Sequence, residues 1–285
     1  MSGFPNGHKL RELLSPFLRE QNGELSVSSK GVRLLARELQ MTERNVLTEL
    51  LRQDIWPERF CRCRGAFTAQ ALIRLLSARI VVAGCGGLGG HVTELLARMG
   101  TGSLVLCDPD RFEESNLNRQ HFCTEKTLGH FKAEACRNGL LDIASYMDIE
   151  VHTVALDEDN LPAILKGADA VMDCLDSIAR KKMLENAAHE AGVFCVQGSV
   201  ARNEGLALFD GSGTLAFSQV YPGEDAGNRE GDPMNTHALT VAGTACLMAA
   251  LLVRRLCRDK NDDGKLFHLD LSVPELEKLT FFSRP

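Results

Sequence analysis

The chain has 285 residues, 44% of them hydrophobic and 25% charged, the balance of a soluble globular protein with room for one α/β domain and a small appendage. A net charge of −6 argues against a nucleic-acid binder that depends on phosphate attraction, and suits a locally basic pocket on an acidic body. No apolar core of signal-peptide length follows Met1, and the longest apolar stretch, 238–253, is shorter than the roughly 20 residues that cross a bilayer; a cytoplasmic protein with no membrane partner is expected.

In chain order, Leu10, Leu13, Leu14, Phe17 and Leu18 recur at helical spacing, followed by Val32, Leu35, Ala36 and Leu39. Thr42 reads as the N-cap of a third helix carrying Val46, Leu47, Leu50 and Leu51. Residues 1–55 are therefore expected to form a small helical unit whose last two helices have a helix-turn-helix look. Eight Lys and Arg there face seven acids, too even a balance for a DNA reader, so packing or partner docking is expected.

Residues 56–285 form the second predicted unit. Strands are expected at Arg79–Ala83, 103–108, 149–156, 168–174 and 193–198, with helices between most of them. This alternation predicts a doubly wound, Rossmann-like α/β fold. Beyond it, a hairpin (206–210 with 214–220), a mobile Gly-rich loop (222–237), a long helix (238–258) and a strand pair near 267–271 and 276–282 extend the sheet as a mixed one with antiparallel strands.

Gly84, Gly86 and Gly89 fit G-x-G-x-x-G at a strand-to-helix turn, where backbone N–H groups and the helix dipole favour phosphate. Asp108 ends the next strand, where a carboxylate can hold a ribose hydroxyl. A nicotinamide dehydrogenase would show the same pair. The residues beyond Asp108 are harder to fit to hydride transfer: Asp110, then Ser115-Asn116-Leu117-Asn118-Arg119-Gln120, then Lys132, then Asp173 and Asp176. Cations that neutralise a triphosphate, with a strand-end carboxylate for Mg²⁺, are what ATP chemistry needs.

These segments resemble the ThiF/MoeB/HesA adenylyltransferases, relatives of the ubiquitin-activating enzymes. The likeness runs from about Arg59 to Leu279, anchored by GCGGLGG, the Asp-x-Asp…SNLNRQ run, LGHFKAEA, MDCLDS and GSVARNEG. It implies ATP-dependent activation of the C-terminal carboxylate of a small ubiquitin-like sulfur-carrier protein ending in Gly-Gly. By resemblance, the turn Gly84–Gly89, with Gly86 and Gly87 closest, cradles phosphate, Asp108 holds the ribose, and Asp110 belongs to the same cofactor-binding set. Asn116, Arg119 and Lys132 contact the phosphates, and Asp176 binds Mg²⁺. Arg62 looks like the family arginine that reaches into a partner subunit's site, which implies a homodimer.

The chain also departs from the family. Leu215-Ala216-Phe217-Ser218 stands where many members have their first zinc-binding Cys-x-x-Cys, so no structural zinc is expected. No cysteine lies between Phe209 and Ala245, which puts a covalent thioester or persulfide at the crossover loop in doubt. Where the family often has an arginine five residues after Asp176, Lys181 stands here with Arg180 before it, and either could supply the charge. Two other functions remain open: adenylylation of another carboxylate, peptide or tRNA-borne, and a non-catalytic module that responds to ATP.

Overall fold

The computed structural model describes residues 5, 7–21, 23–210, 216–220, 235–257 and 265–280. The first 57 residues hold three helices, α1 (Gly7–Leu14), α2 (Ser29–Glu38) and α3 (Glu43–Arg52), with Ser28 and Thr42 capping the last two. The unit is not purely helical, however. Strands β1 (Leu18–Gln21), β2 (Glu24–Val27) and β3 (Trp56–Pro57) form a sheet in that order, β3 pairing with β2 beyond residue 55. Leu18, expected on the first helix, lies on β1, because α1 stops before Ser15-Pro16: a proline disfavours helix at the residue before it and cannot extend one.

The helix-turn-helix look has a physical limit. Helix α3 packs against α4 (Ala69–Ser77), Arg44 donates to the Gly102 carbonyl at 3.3 Å, and Glu43 accepts from Ser145. The second helix of the pair is thus committed to the body of the protein rather than presented to a groove. Leu14, Leu35, Val46 and Leu50 join Leu72, Leu76, Ile80 and Leu96 in one continuous core.

The main sheet runs β11-β10-β9-β8-β7-β4-β5-β6. Its parallel strands are β4 (Arg79–Ala83), β5 (Ser103–Cys107), β6 (Asp148–His152), β7 (Ala170–Asp173) and β8 (Phe194–Ala201). Ile80 and Val82 face one core and Val81 and Ala83 the other, so the unbroken apolar run of β4 is what a strand covered on both faces requires. Helices α5 (Gly87–Met99), α6 (Lys132–Ile143) and α10 (Ala238–Leu256) cover the first face; α7 (Leu161–Leu165) and α8 (Ile178–Ala191) cover the second. Antiparallel β9 (Glu204–Asp210), β10 (Lys265–Asp270) and β11 (Glu275–Thr280) widen the sheet.

Two expectations are corrected. Residues 216–220 are helix α9 (Ala216–Val220), not a hairpin strand. Glu185 of α8 accepts from the N–H groups of Phe217 and Ser218 at 2.6 and 3.0 Å, a tertiary cap that local pattern does not reveal. The long apolar helix ends at Leu256. By length and composition α10 passes as a membrane span, yet it packs on α5, β8 and β9. Of the Gly-rich loop, residues 222–234 lie outside the described ones, as do 281 and 282 of the last strand.

Candidate active site

The chain passes from β4 to β5 and β6 on one side, then returns to β7 on the other side of β4. Such a switch opens a crevice at the carboxyl ends of the strands. Ala83 is level with Cys107 and with Asp173 across the sheet, so Gly84, Asp108 and Cys174 follow at the same edge.

The glycines at this edge have distinct steric reasons. Gly84 has φ +92°, and a Cβ there would lie 2.8 Å from the Cys174 carbonyl. A Cβ on Gly89 would fall 1.8 Å from the Gly84 carbonyl, so only glycine lets α5 begin so close to the strand end. Gly87 lies under Val241 of α10. The first helical bond of α5 runs from Gly90 N–H to Gly86 O, which leaves the N–H groups of Gly87, Leu88 and Gly89 at the open helix end.

Asp108 is 5% exposed and gripped by that turn: its oxygens accept from Cys85 N–H at 2.7 Å and Asp110 N–H at 2.8 Å. Burial pushes its carboxyl up, while the two N–H groups and Lys132 pull it back. Lys132 opens α6 and pairs with Asp110 at 2.9 Å. Sequence pattern gives Gln120 no role, although it closes the SNLNRQ run. Its amide lies beside Gly86, 3.5 Å from where a Cβ would stand, and its buried Oε1 has no hydrogen-bond partner.

Asn116 and Arg119 belong to the same loop but spend their side chains on it. Asn116 Oδ1 accepts from Glu113 N–H at 3.1 Å, closing a reciprocal cap, and Arg119 donates to the Ser115 carbonyl and to Asn118. Asp176 is exposed in the turn between β7 and α8, one strand from β4. A carboxylate there fits Mg²⁺, which is held by one or two carboxylates plus phosphate oxygens. No group of three or more His, Cys, Asp or Glu with metal-site geometry occurs among the described residues.

Arg62 is not brought to this cluster. It is exposed in the 3₁₀ turn Glu58–Cys63, whose Phe60 packs on Gly100 at the far end of α5. The 13 residues of α5 put that end about 20 Å from the glycine turn. All ten cysteines are free and described. Those nearest the turn are poor nucleophiles: a hydrogen bond with Cys136 and burial raise the Cys85 thiol, and burial pushes Cys107 up to about 12.

A family model described as the ThiF family matches residues 61–284. The chain belongs to the ThiF family. It is 28% identical over 215 residues to the SAMP-activating enzyme E1 of Haloferax volcanii, a match covering 74% of this chain and 80% of that one. With the adenylyltransferase and sulfurtransferase MOCS3 of Drosophila yakuba it shares 31% identity over 205 residues, 70% of this chain and 45% of that one. It therefore spans less than half the length of that relative. Among solved structures, MccB of E. coli superposes with a TM-score of 0.67 at 17% identity, covering 90% of this chain and 78% of that one, a likeness of fold. MccB has also been solved in complex with N-formylated MccA.

Proposed function

We propose that this ThiF-family chain uses ATP and Mg²⁺ to adenylylate the C-terminal glycine carboxylate of a small ubiquitin-like sulfur-carrier protein ending in Gly-Gly, working as a cytoplasmic homodimer. The observation that carries the reading is the glycine turn at the sheet's switch point with Asp108, Lys132 and Gln120 gathered on it. The name of the SAMP-activating relative supports a protein substrate, and ten free cysteines suit a reducing compartment.

In this chemistry a carboxylate oxygen of the terminal glycine attacks the α-phosphorus. The bond to the oxygen bridging the α- and β-phosphates breaks, pyrophosphate leaves with that electron pair, and an acyl-adenylate remains. The attacking group is already an anion, so no general base and no protein thiolate is required. The N–H groups of Gly87, Leu88 and Gly89 meet phosphate at the start of α5. Lys132, sharing or leaving Asp110, and Arg119, released from the Ser115 carbonyl, offset charge on the departing group. Asp108 keeps lone pairs free for a ribose hydroxyl. Asp176 would hold Mg²⁺, which supplies charge neutralisation on the leaving pyrophosphate.

A second reading, adenylylation of a peptide carboxylate, has one observation in its favour. The likeness to MccB takes in 90% of this chain, more than the residues after 57 can supply, so it includes part of the N-terminal unit. ATP–pyrophosphate exchange with Mg²⁺ decides between them. Exchange that needs a Gly-Gly-ending protein, and disappears when its last glycine is removed, supports the first reading. Exchange with short peptides alone supports the second, and none with either, despite ATP binding, sinks both.

A further inference from the structure

Between α8 and the ends of β7 and β8 lies an ion pair for which the proposed chemistry has no use. Lys181, in the first turn of α8, has a side chain 4% exposed and sits 3.2 Å from Asp173 Oδ1, itself fully buried. Its ammonium also donates to the Gly198 carbonyl of β8 at 2.7 Å. The same Asp173 oxygen accepts the N–H of Leu175 at 3.0 Å. One ammonium thus ties together β7, α8 and β8, and the carboxylate it neutralises shapes the turn that leads to Asp176.

The surroundings are costly for charge. Burial raises the Asp173 carboxyl, with Lys181 the main opposing influence. Gln197, a residue 2% exposed, lies close enough to lower the same carboxyl, yet Asp173 Oδ2 and both Gln197 amide atoms make no contact of good hydrogen-bond geometry. An apolar pair of similar volume often packs as well as a buried ion pair or better, so stability alone is a weak reason for this one. Its geometry offers another: the pair is the only described contact that fixes the Leu175 N–H, two residues past the sheet edge and one before Asp176.

We propose that Lys181 is a positioning residue that, through Asp173, sets the β7–α8 turn so that Asp176 meets the bound nucleotide. The target of this positioning rests on the adenylylation reading; the geometry does not. Of the two cations that sequence leaves open, Lys181 is buried in this pair and Arg180 is exposed.

Amide hydrogen exchange on the full chain tests the proposal. Lys181→Met is expected to speed exchange of the amides of 174–177 at least tenfold while those of β4 and β5 stay protected, and Lys181→Arg to restore slow exchange. Because Lys181→Met strands a buried carboxylate and endangers folding, the double variant Asp173→Asn with Lys181→Met, which removes both charges, serves as the second probe. In the same proteins, ATP affinity is measured by calorimetry with Mg²⁺ and with EDTA. The gain in affinity brought by Mg²⁺ is expected to shrink at least fivefold in both Met variants and to survive in Lys181→Arg. Wild-type exchange at 174–177 in a folded double variant overturns the proposal. So does loss of protection throughout the sheet in both Met variants, which would mark the pair as structural only. If Mg²⁺ adds nothing to wild-type ATP affinity while the exchange pattern holds, the metal role of Asp176 fails and the positioning of the turn stands.

Discussion

Asp110 Oδ2 lies 2.9 Å from Lys132 Nζ, and the main-chain N–H of Lys132 donates to the Asp110 carbonyl at the same distance. The two residues are asymmetric: the lysine side chain is 11% exposed and the aspartate 64%. The crevice therefore presents its buried cation already neutralised by a carboxylate that water can take back. A phosphate entering the turn competes with Asp110 for Lys132, and the displaced carboxylate loses little by facing solvent.

From this asymmetry, Lys132→Ala is expected to weaken ATP binding at least tenfold while costing less than about 1 kcal/mol of stability, the range of a pair with one partner in water. Asp110→Ala is expected to leave ATP affinity equal or better. Calorimetric ATP binding and urea unfolding of both variants check this; an Asp110→Ala chain that loses ATP would make the aspartate a direct ligand instead.

The glycines predict a graded series. Gly89→Ala drives a methyl into the Gly84 carbonyl, a contact with backbone that no rotamer relieves, and is expected to cost about 3 kcal/mol or more. Gly86→Ala meets only the Gln120 amide, at 3.5 Å, so its fold cost is expected near 1 kcal/mol. Its ATP affinity is expected to fall all the same, since the methyl stands where phosphate approaches. Thermal unfolding and ATP titration of the pair separate the two effects; equal unfolding losses would contradict the contact distances.

The turn and its aspartates are legible in the sequence because their rules are local: a strand, glycines at fixed spacing, a helix start, an acid at the next strand end. The parallel strands are legible for a similar reason, since runs such as Ile80-Val81-Val82 suit a strand buried on both faces. The small N-terminal sheet is not. Leu18-Arg-Glu-Gln alternates no apolar residues, and its strand character comes from pairing with β2. Helix α9 escapes because its cap, Glu185, is more than thirty residues away. The roles of Lys181 and Gln120 depend on which strand lies beside which, and spacing alone does not encode that.

A pH dependence arises from His91, on the second turn of α5. Burial lowers its pKa, as does the ring of His121 with its centroid 5.1 Å away, while a hydrogen bond with the Arg119 backbone and, less, Glu94 oppose them. Its folded pKa is below the ordinary 6.5, so between the two values the unfolded chain binds more protons. Stability from this group is full above pH 6.5 and is lost as pH falls through the folded value. Urea midpoints of wild type are expected to drop from pH 7.5 to 5.5 more steeply than those of His91→Asn. Parallel curves would remove His91 as the source.

Arg62 gives the sharpest test of assembly. Its turn packs, through Phe60, on Gly100 at the end of α5 about 20 Å from the glycine turn of its own chain, so a direct contact with ATP is expected from a second copy. Arg62→Ala and Asp176→Ala are each expected to cut ATP–pyrophosphate exchange at least a hundredfold, one by removing the donated cation and the other by removing the metal carboxylate. In a mixture of the two, a heterodimer contains one crevice lacking both groups and one lacking neither. Random pairing of equal amounts makes about half the dimers mixed, each with one intact crevice, so activity near a quarter of the wild-type value is expected per total protein. Recovery at that level, with each variant alone inactive, places Arg62 in the partner's crevice. No recovery, with mass spectrometry showing that mixed dimers form, would return Arg62 to the solvent.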